Sequence, residues 1–322
     1  MGPERTKEAM KIVVTGGTGF IGERLVRALA ERGDEVTVLS RRAGTSKHAT
    51  QVVWTPEAAG PWLDVVKAAD AVIHLAGAGI LDKRWNDEHL RACRSSRVGP
   101  TRLVADALAS ASATKGEPSN EGKKRVLVSA SAVGYYGFRA DDRICDEGSP
   151  NGTDVLATMC ADWEAACAPA EDAGVRVAKA RIGVVLGPEG GALSQMLPVF
   201  RLGLGGPLGS GTQMLPWVHA DDAVKALVFA LDTATLSGPF NVTAPTPVPM
   251  ATFAKELGRV LGRPSFFRVP EFALRTIVGK GAEVVLTGQN AVPKKLLDAG
   301  FVFLFPELHA ALKQAVASPA AA

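Results

Sequence analysis

Cysteine and tyrosine are scarce in this chain, and both scarcities exclude something. Among 322 residues there are four cysteines (Cys93, Cys145, Cys160, Cys167). None forms a C-x-x-C pair, so no disulfide framework or thiolate metal site is expected, and a reducing, cytoplasmic compartment is the default. Cys160 and Cys167 are expected on one helix face as small core residues. The five histidines (His48, His74, His89, His219, His309) never fall at metal-ligand spacing, so no metal is expected. Apolar stretches such as 223–231 are too short for a bilayer, which needs about 20 residues, so no membrane partner is expected. Net charge is only +3 with the basic residues scattered, which gives no nucleic-acid surface. The N-terminus lacks the apolar core of a signal peptide. Met1–Thr6 matches a loose myristoylation pattern, against which Pro3 and the ease of chance matches weigh. Residues 1–9 read as a ragged leader and Ser318–Ala322 as a frayed tail.

What is present starts with glycine. The apolar run Lys11-Ile12-Val13-Val14 leads into Thr15-Gly16-Gly17-Thr18-Gly19-Phe20-Ile21-Gly22, and a helix follows with Leu25, Val26 and Leu29 on one face. Strand, glycine loop and helix in that order form the opening unit of a dinucleotide-binding domain. Gly16 allows the tight turn, Gly19 lets backbone approach a pyrophosphate, and Gly22 lets helix pack on strand. Phosphates then meet a helix N-terminus, where free N–H groups and the helix dipole favour negative charge. The next strand, Glu35–Ser40, ends in Arg41-Arg42, and residues 38–43 contain no acid. A site for NAD uses an acid here on the ribose hydroxyls. Two guanidiniums beside Ser40 suit a 2′-phosphate instead, so NADP(H) is the expected cofactor. The alternative is that both arginines merely sit in a solvated loop.

Strand and helix patterns then alternate: a strand at Ala71–Leu75, a helix over Glu88–Ala111, a surface loop over Ser112–Lys124, and a strand at Arg125–Ser129. A helix over Asp154–Ala173 and a strand over Val175–Val185 follow. This alternation predicts an α/β protein, a doubly wound parallel Rossmann sheet with a smaller C-terminal substrate lobe. Residues 10–187 form the NADP-binding domain, with 217–245 returning to it. Residues 188–216 and 246–317, richer in Gly and Pro with shorter elements, form the smaller lobe. The assembly is expected to be a monomer or a homodimer.

Together these motifs resemble the extended short-chain dehydrogenase/reductase superfamily, which includes nucleotide-sugar epimerases and dehydratases. The resemblance covers almost the whole chain. It rests on Thr15–Gly22, His74-Leu75-Ala76-Gly77, Ser129–Gly137, Arg181–Pro188 and Trp217–Asp222. Gly209–Gln213, Phe240–Pro245 and Pro293–Phe301 narrow it to an atypical, NAD(P)-dependent epimerase-like subgroup whose members include a human epimerase family protein and a plastid-division factor. The resemblance implies that Arg41 holds the 2′-phosphate, that His74, Leu75, Ala76 and Gly77 flank the adenosine side, and that Val128–Ser131, with Ser129, flanks the nicotinamide. It also implies that the lobe after Gly187 closes over a small-molecule substrate.

The catalytic residues depart from that pattern. Active members pair a Ser or Thr with Tyr-x-x-x-Lys. The tyrosine moves the hydroxyl proton and the lysine's charge lowers a phenol pKa that is naturally near 10. Here the only tyrosines are Tyr135 and Tyr136, and no Tyr-x-x-x-Lys exists. With Glu164 as the acid that follows the motif lysine by four, Leu156 takes the tyrosine position and Cys160 the lysine position. The Ser/Thr position falls on Ala132, with Ser131 beside it. Three readings stand open: an oxidoreductase with a different proton donor, a catalytically silent NADP(H)-sensing regulator or scaffold, and a reductase whose substrate exchanges its proton through water. Ser131, Tyr135 and Cys160 are the candidate donors, against which the tyrosines shaping the pocket and a buried structural thiol are the plainer roles. Tyr136, Gln213 and His219 are candidate substrate contacts. Asp221 or Asp222 is expected to cap the helix after His219. Arg181 either meets an anionic part of the cofactor or substrate, or pairs with an acid at a strand end.

Overall fold

The computed structural model describes residues 8–113 and 125–317. The myristoylation pattern at Met1–Thr6, the tail at Ser318–Ala322 and nearly all of the 112–124 loop lie outside the described residues. Seven parallel strands form the central sheet: β1 (Lys11–Thr15), β2 (Glu35–Ser40), β3 (Thr50–Val53), β4 (Ala71–His74), β5 (Val126–Ala132), β6 (Arg176–Ile182) and β7 (Gly238–Val242). Their order is β7-β6-β5-β4-β1-β2-β3. The chain therefore grows outward in one direction from β1 and in the other from β4. Ligands of open parallel sheets bind at such a switch, outside the carboxyl ends of the strands.

The continuous apolar runs of the strands follow from burial on both faces, because successive side chains point to opposite sides. Ile12 and Val14 join a core with Ile73 and Val128 beneath helices α1 (Phe20–Glu31) and Ala220–Asp232. Val13, Val72 and Leu127 join a second core on the other face. That face is covered by α2 (Trp62–Lys67), α3 (Asp87–Ala113) and a short helix, Ala168–Asp172.

Two elements expected to be continuous are broken. The helix expected over 154–173 is two helices, α4 (Val155–Ala165) and α5 (Ala168–Asp172). Asp154 caps the first, accepting from the Leu156 and Ala157 N–H groups, and Pro169 opens the second. Proline lacks the N–H that a continuing helix needs and is tolerated in a first turn. Cys160 and Cys167 consequently do not share a helix face: Cys167 packs in the second core, while the ideal Cβ position of Gly134 lies 3.7 Å from the Cys160 sulfur. The strand expected over 175–185 breaks at Gly183, where a Cβ would come 2.1 Å from the Pro216 carbonyl oxygen. Val184–Leu186 then leaves the main sheet to pair with Trp217–His219.

A third core gathers α6 (Gly191–Arg201), helix Met250–Leu261 and helix Leu308–Ala317 around Phe200, Trp217 and Phe253. The segment 217–245 returns to the sheet as helix α7 (Ala220–Asp232) and strand β7. A later piece packs there too: Leu296 and Phe301 join the first core, with helix Lys294–Asp298 against β7. Among the described residues, no helix is long and apolar enough to cross a membrane.

Candidate functional site

At the switch between β1 and β4, each glycine of the loop has a different steric reason. Gly16 has φ +68°, and a Cβ there would lie 2.9 Å from the Leu75 carbonyl carbon. A Cβ at Gly17 would lie 2.8 Å from the Val38 side chain, and one at Gly22 2.1 Å from the Gly16 oxygen. Gly19 is exposed, with only the Gly16 oxygen near its open face, at 3.3 Å. It begins α1 with no side-chain cap, which leaves a helix N-terminus facing the crevice. Thr18 is exposed beside it. Phe20 points the other way and packs on Gly187, Gly190 and Gly191, while Ile21 packs against the first core.

Thr15 and His74, expected among the cofactor contacts, are fully buried beneath the loop. The Thr15 hydroxyl accepts the Leu75 and Ala76 N–H groups at 3.1 and 3.2 Å and lies 2.8 Å from His74 Nδ1. With its lone pairs taken, that hydroxyl donates to Nδ1, so the neutral His74 carries its proton on Nε2. Nε2 has no partner, and burial pushes the His74 pKa down to about 4. These two side chains fix the exit of β4 from beneath the loop. Ser129 is likewise buried within β5. Leu75 and Ala76 are half-buried and Gly77 is exposed at the crevice.

Ser40 closes β2, its hydroxyl 3.4 Å from the Arg42 N–H. Arg41 and Arg42 are exposed, and neither pairs with a carboxylate among the described residues. A cleft of about 300 Å³ opens beside them between α1 and the connection after β2, lined by Gly17, Thr18, Glu23, Val26, Arg27, Val38, Thr45, Ser46, His48 and Gln51.

At the β5 edge the polar groups are spent on one another. Glu164 accepts from Ser131 at 2.7 Å and from Arg181 at 2.8 and 3.0 Å. Arg181 also donates to the Tyr136 hydroxyl at 3.2 Å. Tyr136 in turn donates to Asn241 Oδ1 at 2.7 Å, and the Asn241 N–H donates to Glu147 at 2.9 Å. All of these residues are buried. Burial pushes the Tyr136 pKa up to about 12. Burial alone would lower that of Arg181, but the bonds and charge of Glu164 raise it overall. Arg181 thus takes the acid-pairing role, with Glu164 as its partner. Cys160 is 6% exposed, and burial, with the Glu164 charge, pushes its thiol up to about 12. Such a thiol is not a nucleophile at neutral pH. Tyr135 differs from all of these. It is half-buried, the Arg181 guanidinium carbon lies 3.4 Å from its ring centroid, and its hydroxyl bonds to no described residue.

Two expected substrate contacts are also internal. Gln213 donates to the carbonyls of Leu208 and Val285 at 3.0 and 2.8 Å. His219 itself caps α7: its Nδ1 accepts the Asp221 N–H at 3.2 Å and its Nε2 meets Gln314 at 2.6 Å. Asp222 is not the cap but accepts the Leu304 and Phe305 N–H groups, and Asp221 pairs with Arg24. Spacing gave no warning of the distant partners, Val285 for Gln213 and Gln314 for His219, which lie 72 and 95 residues away in sequence. One further charged group stands at the crevice and belongs to no motif: Arg97 of α3, packed against Gly77.

Comparison with known proteins agrees with this geometry. Residues 12–243 match the NAD dependent epimerase/dehydratase family, and residues 269–315 match a domain of unknown function. The chain is 40% identical over 311 residues to the chloroplastic epimerase family protein SDR39U1 homolog of Arabidopsis thaliana, covering 94% of this chain and 86% of that one. The human epimerase family protein SDR39U1, solved with NADPH, superposes with a TM-score of 0.82 at 36% identity over 95% of this chain and 99% of that one. A nucleoside-diphosphate sugar epimerase from Corynebacterium glutamicum gives 0.75 at 32% identity, over 96% of this chain and 58% of that one. By motif, topology and relatedness, this chain belongs to the NAD dependent epimerase/dehydratase family.

Proposed function

We propose that this protein binds NADP(H) across the carboxyl ends of β2, β1 and β4 and acts as an atypical, epimerase-like oxidoreductase on a small substrate of the nucleotide-sugar class. The observation that carries the reading is the pair Arg41 and Arg42, exposed and unpaired where an NAD site places an acid. The fit extends along the crevice. Gly19 leaves open the space a side chain would fill at the α1 N-terminus, and the human relative is described with NADPH. The substrate class rests on the Corynebacterium relative's description as a nucleoside-diphosphate sugar epimerase. Residues 188–216 and part of 246–317 cover the substrate side. Four free, buried cysteines suit a reducing compartment, and we place the protein in the cytoplasm.

When bound, NADP(H) supplies or takes the hydride. The chain's own part is the proton. Ser131 is bonded to Glu164 and Cys160 is buried, so this reading assigns to the Tyr135 hydroxyl the proton given to, or taken from, the reacting substrate oxygen. Arg181, stacked on the ring, fixes where that hydroxyl points. The alternative is a catalytically silent NADP(H) sensor, and the closure of the β5 edge around Glu164 favours it. Purified protein given NADPH deuterated at C4, on each face in turn, with a metabolite extract decides between them. Label moving to one metabolite, and lost in Tyr135→Phe, is the expected result. Tight NADPH binding with no transfer establishes the sensor.

A further inference from the structure

We infer that Arg97 is the cation of the nicotinamide half of this site: its guanidinium takes an oxygen of the nicotinamide-side ribose and favours the reduced, uncharged ring over the oxidised, positively charged one. The inference rests on the NADP(H) reading above and names a group that reading does not need.

Arg97 lies midway along α3, the helix that follows β4, and its side chain reaches back over the carboxyl end of that strand. Its Cζ stands 3.2 Å from the ideal Cβ position of Gly77 and 5.1 Å from the Trp163 ring centroid on α4. A Cβ at residue 77 would press on it closely enough that the side chain must give by a few tenths of an ångström. Two ties hold α3 against α4 at this level: Trp163 Nε1 donates to Thr101 at 3.0 Å, and Arg94 pairs with Asp162 at 2.7 Å.

The guanidinium is underused. It has five N–H donors. One donates to the Cys93 carbonyl at 2.9 Å, and the Cys93 thiol is its other bonding neighbour. The acid whose charge reaches it, Asp82, forms no ion pair with it, and burial lowers its pKa. Arg181, on the other side of α4, has Glu164 on two of its nitrogens. A half-buried cation left without an acid at the edge of a ligand crevice calls for an oxygen acceptor from the ligand.

Topology says which part of the ligand. A dinucleotide with its 2′-phosphate at the end of β2 and its pyrophosphate at the α1 N-terminus, after β1, continues toward β4 and β5. Arg97 stands there, and its charge faces Cys160. Helix α4 (VLATMCADWEA) contains no basic residue of its own, so α3 supplies the positive charge at this edge. An oxidised nicotinamide carries a positive charge that a nearby guanidinium opposes, whereas the reduced ring carries none.

The test titrates the whole protein with NADPH, NADP⁺ and adenosine 2′,5′-bisphosphate, which lacks the nicotinamide half. Arg97→Met keeps the apolar stem on Trp163 and Gly77. It is expected to weaken NADPH about ten-fold or more, to leave the bisphosphate unchanged, and to reduce the preference for NADPH over NADP⁺. Arg97→Lys is expected to restore that preference. NADPH affinity unchanged in Arg97→Met overturns the inference. So does an equal loss for NADPH and the bisphosphate, since Arg97 then only holds α3 to α4. Wild-type protein that binds neither ligand refutes the NADP(H) reading itself, an outcome distinct from a silent Arg97.

Discussion

At the β2 end of the crevice Arg41 and Arg42 stand in solvent, paired with no acid among the described residues, whereas at the β5 edge Arg181 is buried with Glu164 on one side and Tyr136 on the other. The glycine loop keeps backbone exposed for a ligand. The β5 edge uses Ser131, Tyr136 and Asn241 to close itself. On the proposed reading, unspent hydrogen-bonding capacity marks the ligand-facing groups: Arg41 and Arg42, the α1 N-terminus, the Tyr135 hydroxyl and Arg97. By the same measure, much of what resembles a catalytic edge by position is framework. A chain of bonds from Glu164 to Glu147 joins β5, α4, β6 and β7 across more than a hundred positions.

The sharpest way to break the comparison is to unpair the framework. Glu164→Gln removes the charge that neutralises Arg181 inside the protein. A buried ion left without its partner costs on the order of 3–5 kcal/mol, and denaturant unfolding should show a loss of that size. The open end predicts the reverse: Arg41→Ala, with nothing to unpair, should leave unfolding unchanged. A Glu164→Gln variant as stable as wild type would mean that the edge is adaptable, and Ser131 would return as a candidate donor.

Next in size is the pH response of His74. Its pKa is about 4 when folded and near 6.5 when unfolded. Between those values the unfolded chain binds the extra proton, so stability declines as pH falls from about 6.5 toward 4, by up to about 3 kcal/mol. His74→Gln removes the titrating group, and its stability should fall less steeply than wild type's over that window. Parallel curves for the two proteins would show that His74 titrates normally and is not sealed beneath the loop.

Arg41→Ala probes the open end directly. Loss of one charge-assisted bond is worth about 1.5–3 kcal/mol, so NADPH affinity should drop ten-fold or more while NADH affinity changes little. An equal change for both, measured by fluorescence titration, would assign Arg41 to the loop's solvated surface.

Legibility in the sequence followed the same divide. The strands were readable because both faces of the sheet are buried, which turns each into an apolar run such as 71–74. The glycine loop was readable because strand, loop and helix follow one another directly in the chain, although the neighbours that a Cβ would meet at Gly16 and Gly17, Leu75 and Val38, lie farther along it. The β5 edge was not, because nothing in the order of residues joins Ser131 to Glu164 or Tyr136 to Asn241. The helix break before Pro169 was visible in principle. The cap at His219 was not, because Asp221 and Asp222 are the better intrinsic caps and tertiary contacts had already claimed both. Arg97 carried no signal, as one of several arginines along α3.

The smallest expected effect belongs to Cys160, and its smallness is the point. If the β5 edge is framework, its thiol is sealed and protonated, so alkylation at pH 8 should leave Cys160 unlabelled until the protein unfolds. Cys160→Ala should keep NADPH affinity and any hydride transfer, with a modest stability loss of about 1 kcal/mol from the missing sulfur contacts. Thiol burial and lost function are separable here because the substitution removes a neutral, protonated group and leaves the neighbouring Arg97 charge in place. Retained folding and NADPH binding with abolished hydride transfer would place the thiol in the chemistry. It would also show that the closed edge opens when substrate binds, and then unspent hydrogen-bonding capacity in the resting protein would no longer separate ligand-facing groups from framework.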